Sequence, residues 1–198
     1  MSELVDAITE LSSASALIHD AQQPELRTLL VSDLVGSTVA LHTLGDELGR
    51  EYIARHDDLV RRCLRSHSGT EIAHTGDGFI ASFANASRAL HCACAMQEAA
   101  WRHNETSPHL PIEMRIGVHA GRPTEQDGRL VGACVHAAAR VCATASGGCI
   151  LASQPVIGLI NPQWFRLVAR GPSTLRGVPE PVALYELDWE SQLRSASN

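Results

Sequence analysis

An α+β fold, built on a ferredoxin-like split βαβ sheet and preceded by a helical extension, is what this sequence predicts. Three observations carry that reading. Short β-branched runs alternate with longer segments whose apolar residues recur at three- and four-residue steps. Two of the short runs follow one another across a Gly-Asp turn. The order is strand, two helical segments, two strands, helix and strand, then two further helix–strand pairs, with the split unit at the front. The same order predicts helices on one face of the sheet.

The elements follow from the residues. Residues 1–26 carry Leu4, Ile8, Leu11 and Ile18 at roughly helical spacing, with Ser2 as a cap, and read as a helical extension outside the main fold. Pro24 disfavours helix at Gln23 and ends it. "RTLLVS" is a short buried strand. "GSTVALHTLGDELG" and "REYIARHDDLVRRCLRSHS" are helical, the second through Tyr52, Ile53, His56, Leu59, Val60, Cys63 and Leu64. "GTEIAHT" and "GFIASF" are strands joined at Gly76-Asp77. "ASRALHCACAMQEAAWRH" is an alanine-rich helix, "IEMRIGVHAG" a strand ending at Gly121, and "GACVHAAARVCATA" a further helix. "GGCILAS", a helix around "QPVIGLI", and strands near "FRLVA" and "PVALYEL" close one domain, residues 27–188, before a tail, residues 189–198.

Composition narrows the function. A chain of 198 residues with 44% hydrophobic and 19% charged residues has room for one domain with a real core. Its net charge of −6 and the lack of any basic run exclude a surface for nucleic acid or an anionic membrane. Every side-chain cation apart from histidine is arginine, which favours forked contacts to carboxylate or phosphate. The six cysteines show no C-x-x-C spacing and read as reduced, buried thiols of a cytoplasmic protein. There is no basic, apolar leader and no long apolar run, so neither a signal peptide nor a membrane span is expected.

The chemistry begins at "VSDLVGST". Asp33 alone, between a strand and a helix, reads as a cap or turn residue. Asp77 alone, in "HTGDGF", reads as hairpin-turn chemistry. A ferredoxin-like sheet, however, lays the first strand beside the hairpin and brings both carboxylates to one edge. With the Gly36-Ser37-Thr38 helix start beside them, they make a site for Mg²⁺ and a polyphosphate. The "RHDD" stretch from Arg55 to Asp58 and His74 also invite a metal reading. No second histidine stands at helical spacing, so a solvated helix face is expected there instead.

Five blocks, "VSDLVGST", "HTGDGF", "MRIGVHAG", "GRLVGACVHAAARVC" and "LRGVPEPVALYEL", resemble in order and spacing the catalytic domains of class III nucleotide cyclases, over residues 27–187. The resemblance implies a homodimer with active sites at its interface. Two Mg²⁺ or Mn²⁺ ions there promote attack of a ribose 3′-OH on the α-phosphate. By that resemblance Asp33, Asp77 and the carbonyl of Leu34 bind metal. The amides of Val35, Gly36, Ser37 and Thr38 face the β- and γ-phosphates. Arg115 and Arg176 contact phosphate, Arg176 standing where the family usually has lysine. Arg140 stabilises the pentavalent phosphate.

The chain departs from the family pattern at three positions. Ala73 stands where adenylate cyclases have a base-reading lysine, Arg129 where they have an aspartate, and His136 where they have an asparagine. His136 can still donate one hydrogen bond to a ribose. Arg129 offers only donors, which suits keto oxygens better than the amino edge of adenine. ATP is the substrate the resemblance implies, with GTP or a pyrimidine triphosphate as alternatives. A homologue that binds nucleotide or dimerises without turnover is the rival reading. Removing either aspartate is expected to leave the fold intact or more stable, because two close carboxylates repel.

Overall fold

Leu29, Leu30 and Val31 are apolar toward both sides, which suits only a strand covered on both faces. That strand, β1 (Arg27–Leu34), lies third in a seven-stranded sheet within a computed structural model that describes residues 24–126 and 129–191. The helix expected over residues 1–22 falls outside the described residues. The helices are α1 (Ser37–Ser66), α2 (Ala86–Thr106), α3 (Ala133–Thr144) and the short α4 (Gln154–Ile157). The remaining strands are β2 (Thr70–His74), β3 (Gly78–Phe83), β4 (Met114–Gly121), β5 (Thr124–Gln126), β6 (Arg129–Val131), β7 (Ile150–Ser153), β8 (Leu167–Ser173) and β9 (Val182–Leu187).

The large sheet runs β2-β3-β1-β4-β7-β9-β8, and its first half is the ferredoxin-like order. β1 is antiparallel to both β3 and β4, whereas β7 is parallel to β4. Helices α1 and α2 cover one face. Leu59, Val60, Leu90, Ala93 and Met96 pack there on Leu30, Phe79, Ile116 and Val118 to form the main core. Asn85 starts α2 by accepting the Arg88 amide at 3.0 Å.

α3 corrects the expectation of helices on one face. Ala138 and Cys142 pack on Leu29 and Val31, which alternate with Leu30 along β1 and so face the opposite side. Gly117 permits that approach, since a Cβ there would lie 2.1 Å from the Cys142 amide nitrogen. The two helical segments after β1 are continuous apart from one break at Gly45, where φ is 75° and ψ 176°. Glycine takes that left-handed φ at little cost. The small β5–β6 hairpin was not expected. Its three-residue strands are too short to show an alternating pattern.

Trp189, the first residue of the expected tail, packs on the main core and donates from Nε1 to the Gly148 carbonyl at 2.8 Å. Among the described residues no helix is long and apolar enough to cross a membrane.

Candidate active site

The register of the sheet places Asp33. It sits opposite Gly78 on β3 and Arg115 on β4, one row beyond Val31, Ile80 and Gly117. Strand alternation puts it on the face that α3 covers. Just past the strand end, the Leu34 amide donates to the Asp77 carbonyl at 3.0 Å, tying the hairpin loop to β1. The Thr75 amide closes that loop on the Gly78 carbonyl at 2.9 Å, around Gly76 at φ 95°. The two aspartates expected to pair are thereby carried to one sheet edge by backbone hydrogen bonds.

Each carboxylate has one protein donor. Arg115 Nε donates to Asp33 Oδ2 at 2.7 Å, with Nη2 on the same oxygen. Asp33 in turn holds the Arg115 guanidinium still more firmly protonated than usual. Ser37 Oγ donates to Asp77 Oδ2 at 2.5 Å. Oδ1 of Asp33 and of Asp77 takes no hydrogen bond from the described residues. The set is one of hard oxygen donors, which fits Mg²⁺ or Mn²⁺, and the guanidinium on Asp33 shows a cation accommodated at that carboxylate. Leu34 keeps its side chain in the main core and could offer only its carbonyl. Among the described residues no group of three or more His, Cys, Asp or Glu side chains is arranged for a metal. Asp33 and Asp77 are the only two carboxylates the sequence singled out for that role.

The phosphate-facing amides need one correction. Val35 does not offer its N–H, which donates to the Glu113 carbonyl at 2.8 Å as the β1–β4 ladder runs on. Gly36 is the left-handed residue before the helix, and the first intrahelical bond is from the Ala40 amide to its carbonyl. The amides of Ser37 and Thr38 thus belong to the free first turn. Ala73 pairs with Ile80 and shares its sheet face with Asp33, so it lines the same side of the sheet.

The remaining expected residues form a second group. His136 and Arg140 are one turn apart on the exposed side of α3, whose other side buries Ala137, Ala138, Val141 and Cys142. Arg176 is exposed beside Leu175, and Leu175 packs in one cluster with Val141. Among the described residues no hydrogen bond or ion pair joins His136, Arg140 or Arg176 to Asp33 or Asp77. Arg129 opens β6. Cys142 touches the Arg115 carbonyl through Sγ at 3.4 Å, and burial beside Asp33 pushes its thiol up to about 12, so it is no nucleophile.

Sequence reasoning missed two features. One is the Ser37 hydroxyl, because a serine at a helix start reads as a cap while its acceptor lies on another element. The other is the His56-Asp57 pair of "RHDD", which is buried rather than on a solvated helix face, while Arg55 and Asp58 are exposed. His56 is fully buried and its Nδ1 lies 3.2 Å from Asp57 Oδ1. His74 Nε2 reaches the same oxygen at 3.2 Å, and Arg61 Nη1 reaches Oδ2 at 3.3 Å. β2 and Phe79 close over α1 here, which no local pattern announces.

Comparison with known proteins agrees with this fold. Residues 20–188 match the family model described as the adenylate and guanylate cyclase catalytic domain. The chain therefore belongs to the adenylate and guanylate cyclase catalytic domain family. An uncharacterised protein of Mycobacterium tuberculosis is 30% identical over 171 residues, covering 84% of this chain and 55% of the relative. An adenylate cyclase of Lachancea kluyveri is 29% identical over 178 residues, 75% of this chain and 10% of that protein. The crystal structure of the adenylyl cyclase CyaB from P. aeruginosa superposes with a TM-score of 0.76 at 21% identity, covering 83% of this chain and 94% of that one. The chain spans about half the length of the mycobacterial relative and a small part of the fungal one.

Proposed function

We propose that this chain is a metal-dependent nucleotide cyclase that forms a 3′,5′-cyclic nucleotide and pyrophosphate from a nucleoside triphosphate, at a site shared between two copies. The observation that carries the reading is the division of the expected residues. Asp33, Asp77, Ser37 and Arg115 gather on the sheet, while His136 and Arg140 look outward from α3. A second copy presenting its α3 would complete the set.

Asp33, Asp77 and the Leu34 carbonyl would hold two Mg²⁺ or Mn²⁺ ions. Bound there, the ions supply activation of the ribose 3′-hydroxyl and neutralisation of charge at the α-phosphate. The chain does the rest by positioning. The amides of Ser37 and Thr38 and the guanidinium groups of Arg115 and Arg176 bind and orient the β- and γ-phosphates. His136 from the second copy orients the ribose, and Arg140 steadies the charge that develops on the α-phosphoryl oxygens. Ala73 and Arg129 flank the base. ATP is the substrate by family, in line with the name of the Lachancea kluyveri relative, and GTP or a pyrimidine triphosphate is the alternative. Residues 27–188 are the catalytic domain, preceded by an extension, residues 1–26, and followed by residues 189–198, of which Trp189 packs on the main core. The setting is cytoplasmic, where the six thiols stay reduced.

The test is to incubate the purified chain with each of four nucleoside triphosphates and Mn²⁺ and to analyse the products by mass spectrometry. A 3′,5′-cyclic nucleotide is expected; none from any substrate would overturn the reading. Ala73 and His136, standing where the family has lysine and asparagine, favour a second reading. In it the chain binds nucleotide or dimerises without turnover, and nucleotide binding without cyclic product would select it.

A further inference from the structure

A serine at the N-cap of a helix turns its hydroxyl on the amides of the first turn. Ser37 does not. The residue before it, Gly36, is the left-handed start of α1, and no side chain caps that end. The Ser37 hydroxyl instead crosses to the hairpin loop and donates to Asp77 Oδ2 at 2.5 Å, a separation typical of a hydroxyl on a charged carboxylate. Ser37 is only 6% exposed, so water competes little for that donor. The backbone of the loop is already held by the Leu34 and Thr75 amides, on the Asp77 and Gly78 carbonyls respectively. Those bonds place the Cα of Asp77 but leave its carboxylate free to rotate. The Ser37 hydroxyl removes that freedom.

We propose that Ser37 is a positioning residue for the metal site, acting through Asp77, a role that rests on the metal reading given above. By engaging Oδ2 it sets the plane of the carboxylate and leaves Oδ1 for a cation. Because Ser37 is also the first residue of α1, the same contact fixes the first-turn amides relative to Asp77. A structural hydrogen bond and a positioning one differ in what they change. Loss of the former lowers the melting temperature; loss of the latter lowers affinity for the metal in a protein that melts normally.

The probe is Mn²⁺ alone, titrated into the purified full chain and followed by the electron paramagnetic resonance signal of the free ion. Asp77→Ala should bind at least 10-fold more weakly than wild type. Ser37→Ala should also weaken binding by about 10- to 100-fold, the usual range for removing a hydrogen-bond partner of a metal ligand. Ser37→Thr, which keeps the hydroxyl, should recover most of the loss, and in the Asp77→Ala background Ser37→Ala should cost nothing more. Melting curves of the three single variants should stay close to wild type. Asp77-dependent binding with Ser37→Ala within two-fold of wild type would overturn the Ser37 role alone. So would a Ser37→Ala loss that persists in the Asp77→Ala background. Binding that does not depend on Asp77 at all would overturn the metal reading and the Ser37 role with it.

Discussion

Arg115 and Asp33 face each other across the β1–β4 register, and Arg115 Nε donates to Asp33 Oδ2 at 2.7 Å. Both side chains are about a third exposed, so the pair is worth only about 0–1 kcal/mol to the fold. Its consequence is for charge. Asp33 does not stand against Asp77 as one of two bare carboxylates, since each has a donor of its own. The expected stabilisation on removing an acid therefore loses its physical basis. Asp33→Ala should abolish cyclase turnover and leave the melting temperature unchanged or slightly lower, with Arg115 left unpaired. Asp77→Ala should behave alike. Wild-type turnover by either variant at saturating Mn²⁺, or a clear rise in melting temperature, would contradict this account.

The division of the site between the sheet and α3 sets a second test. His136 and Arg140 lie on the exposed side of α3, while the buried side of the same helix rests on β1 and β4. If a second copy supplies them, Asp77→Ala and Arg140→Ala damage different halves of a shared site. Each variant should be inactive alone. Mixed, they should recover activity, because one of the two sites in a heterodimer is intact. Mixtures that remain inactive, with heterodimers shown by mass spectrometry, would place each whole site within one chain.

How far the sequence discloses this arrangement depends on the range of each signal. The strands β1 and β4 were legible as short apolar, β-branched runs and α2 as a long alanine-rich one. The face chosen by α3 was not. An apolar stripe of Ala137, Ala138, Val141 and Cys142 shows that a helix packs but not on which side of a sheet. The small residues Gly117 and Gly121 were the available clue, since a Cβ at either would collide with Cys142 or Cys134. The aspartates were legible as a pair only through the topology that joins them. Ser37 and His56 were misread for a common reason: the Asp77 carboxylate that meets Ser37 and the Phe79 ring that closes on His56 both come from the hairpin, and local sequence says nothing of what closes over a helix.

Burial of His56 makes stability depend on pH. Burial is the larger influence on its imidazole and lowers its affinity for a proton, outweighing the Asp57 contact that raises it. Nδ1–H facing Asp57 leaves Nε2 without a partner among the described residues, as expected of the neutral ring. The unfolded imidazole takes its proton near the ordinary 6.5, the folded one only at lower pH, so the unfolded state binds more protons in between. The His56 contribution is therefore full above about pH 7 and lost progressively as the pH falls below 6.5. His91 and His119, also lowered by burial, act in the same direction. The melting temperature should fall between pH 7 and pH 5, and His56→Phe should fall less steeply over that interval. Parallel curves for the two proteins would show that His56 does not titrate with folding.

The positions proposed to flank the base, Ala73 and Arg129, are where the chain departs furthest from the family pattern. Ala73 and Ile80 are paired neighbours on the face that carries Asp33, one row away from it. Both are partly exposed, so if a base docks there as proposed, the wall it meets is apolar and carries no side-chain hydrogen-bonding group. An apolar wall holds any base by contact and reads none of them. On the proposed reading, discrimination would then fall to Arg129, whose guanidinium has donors only. Opposed to the amino group of adenine, a buried guanidinium would leave donors facing donors, at a cost of about 1–3 kcal/mol. Opposed to a keto oxygen it would be satisfied. The wild-type chain should accordingly show at most a weak preference for ATP over GTP in kcat/KM. Ala73→Lys together with Arg129→Asp should move selectivity toward ATP by about 10-fold or more, since the pair restores a donor and an acceptor at once. Either change alone leaves two mismatched partners and should lower activity without that shift. A wild type that already prefers ATP strongly, or a double variant that moves away from it, would show that other residues read the base.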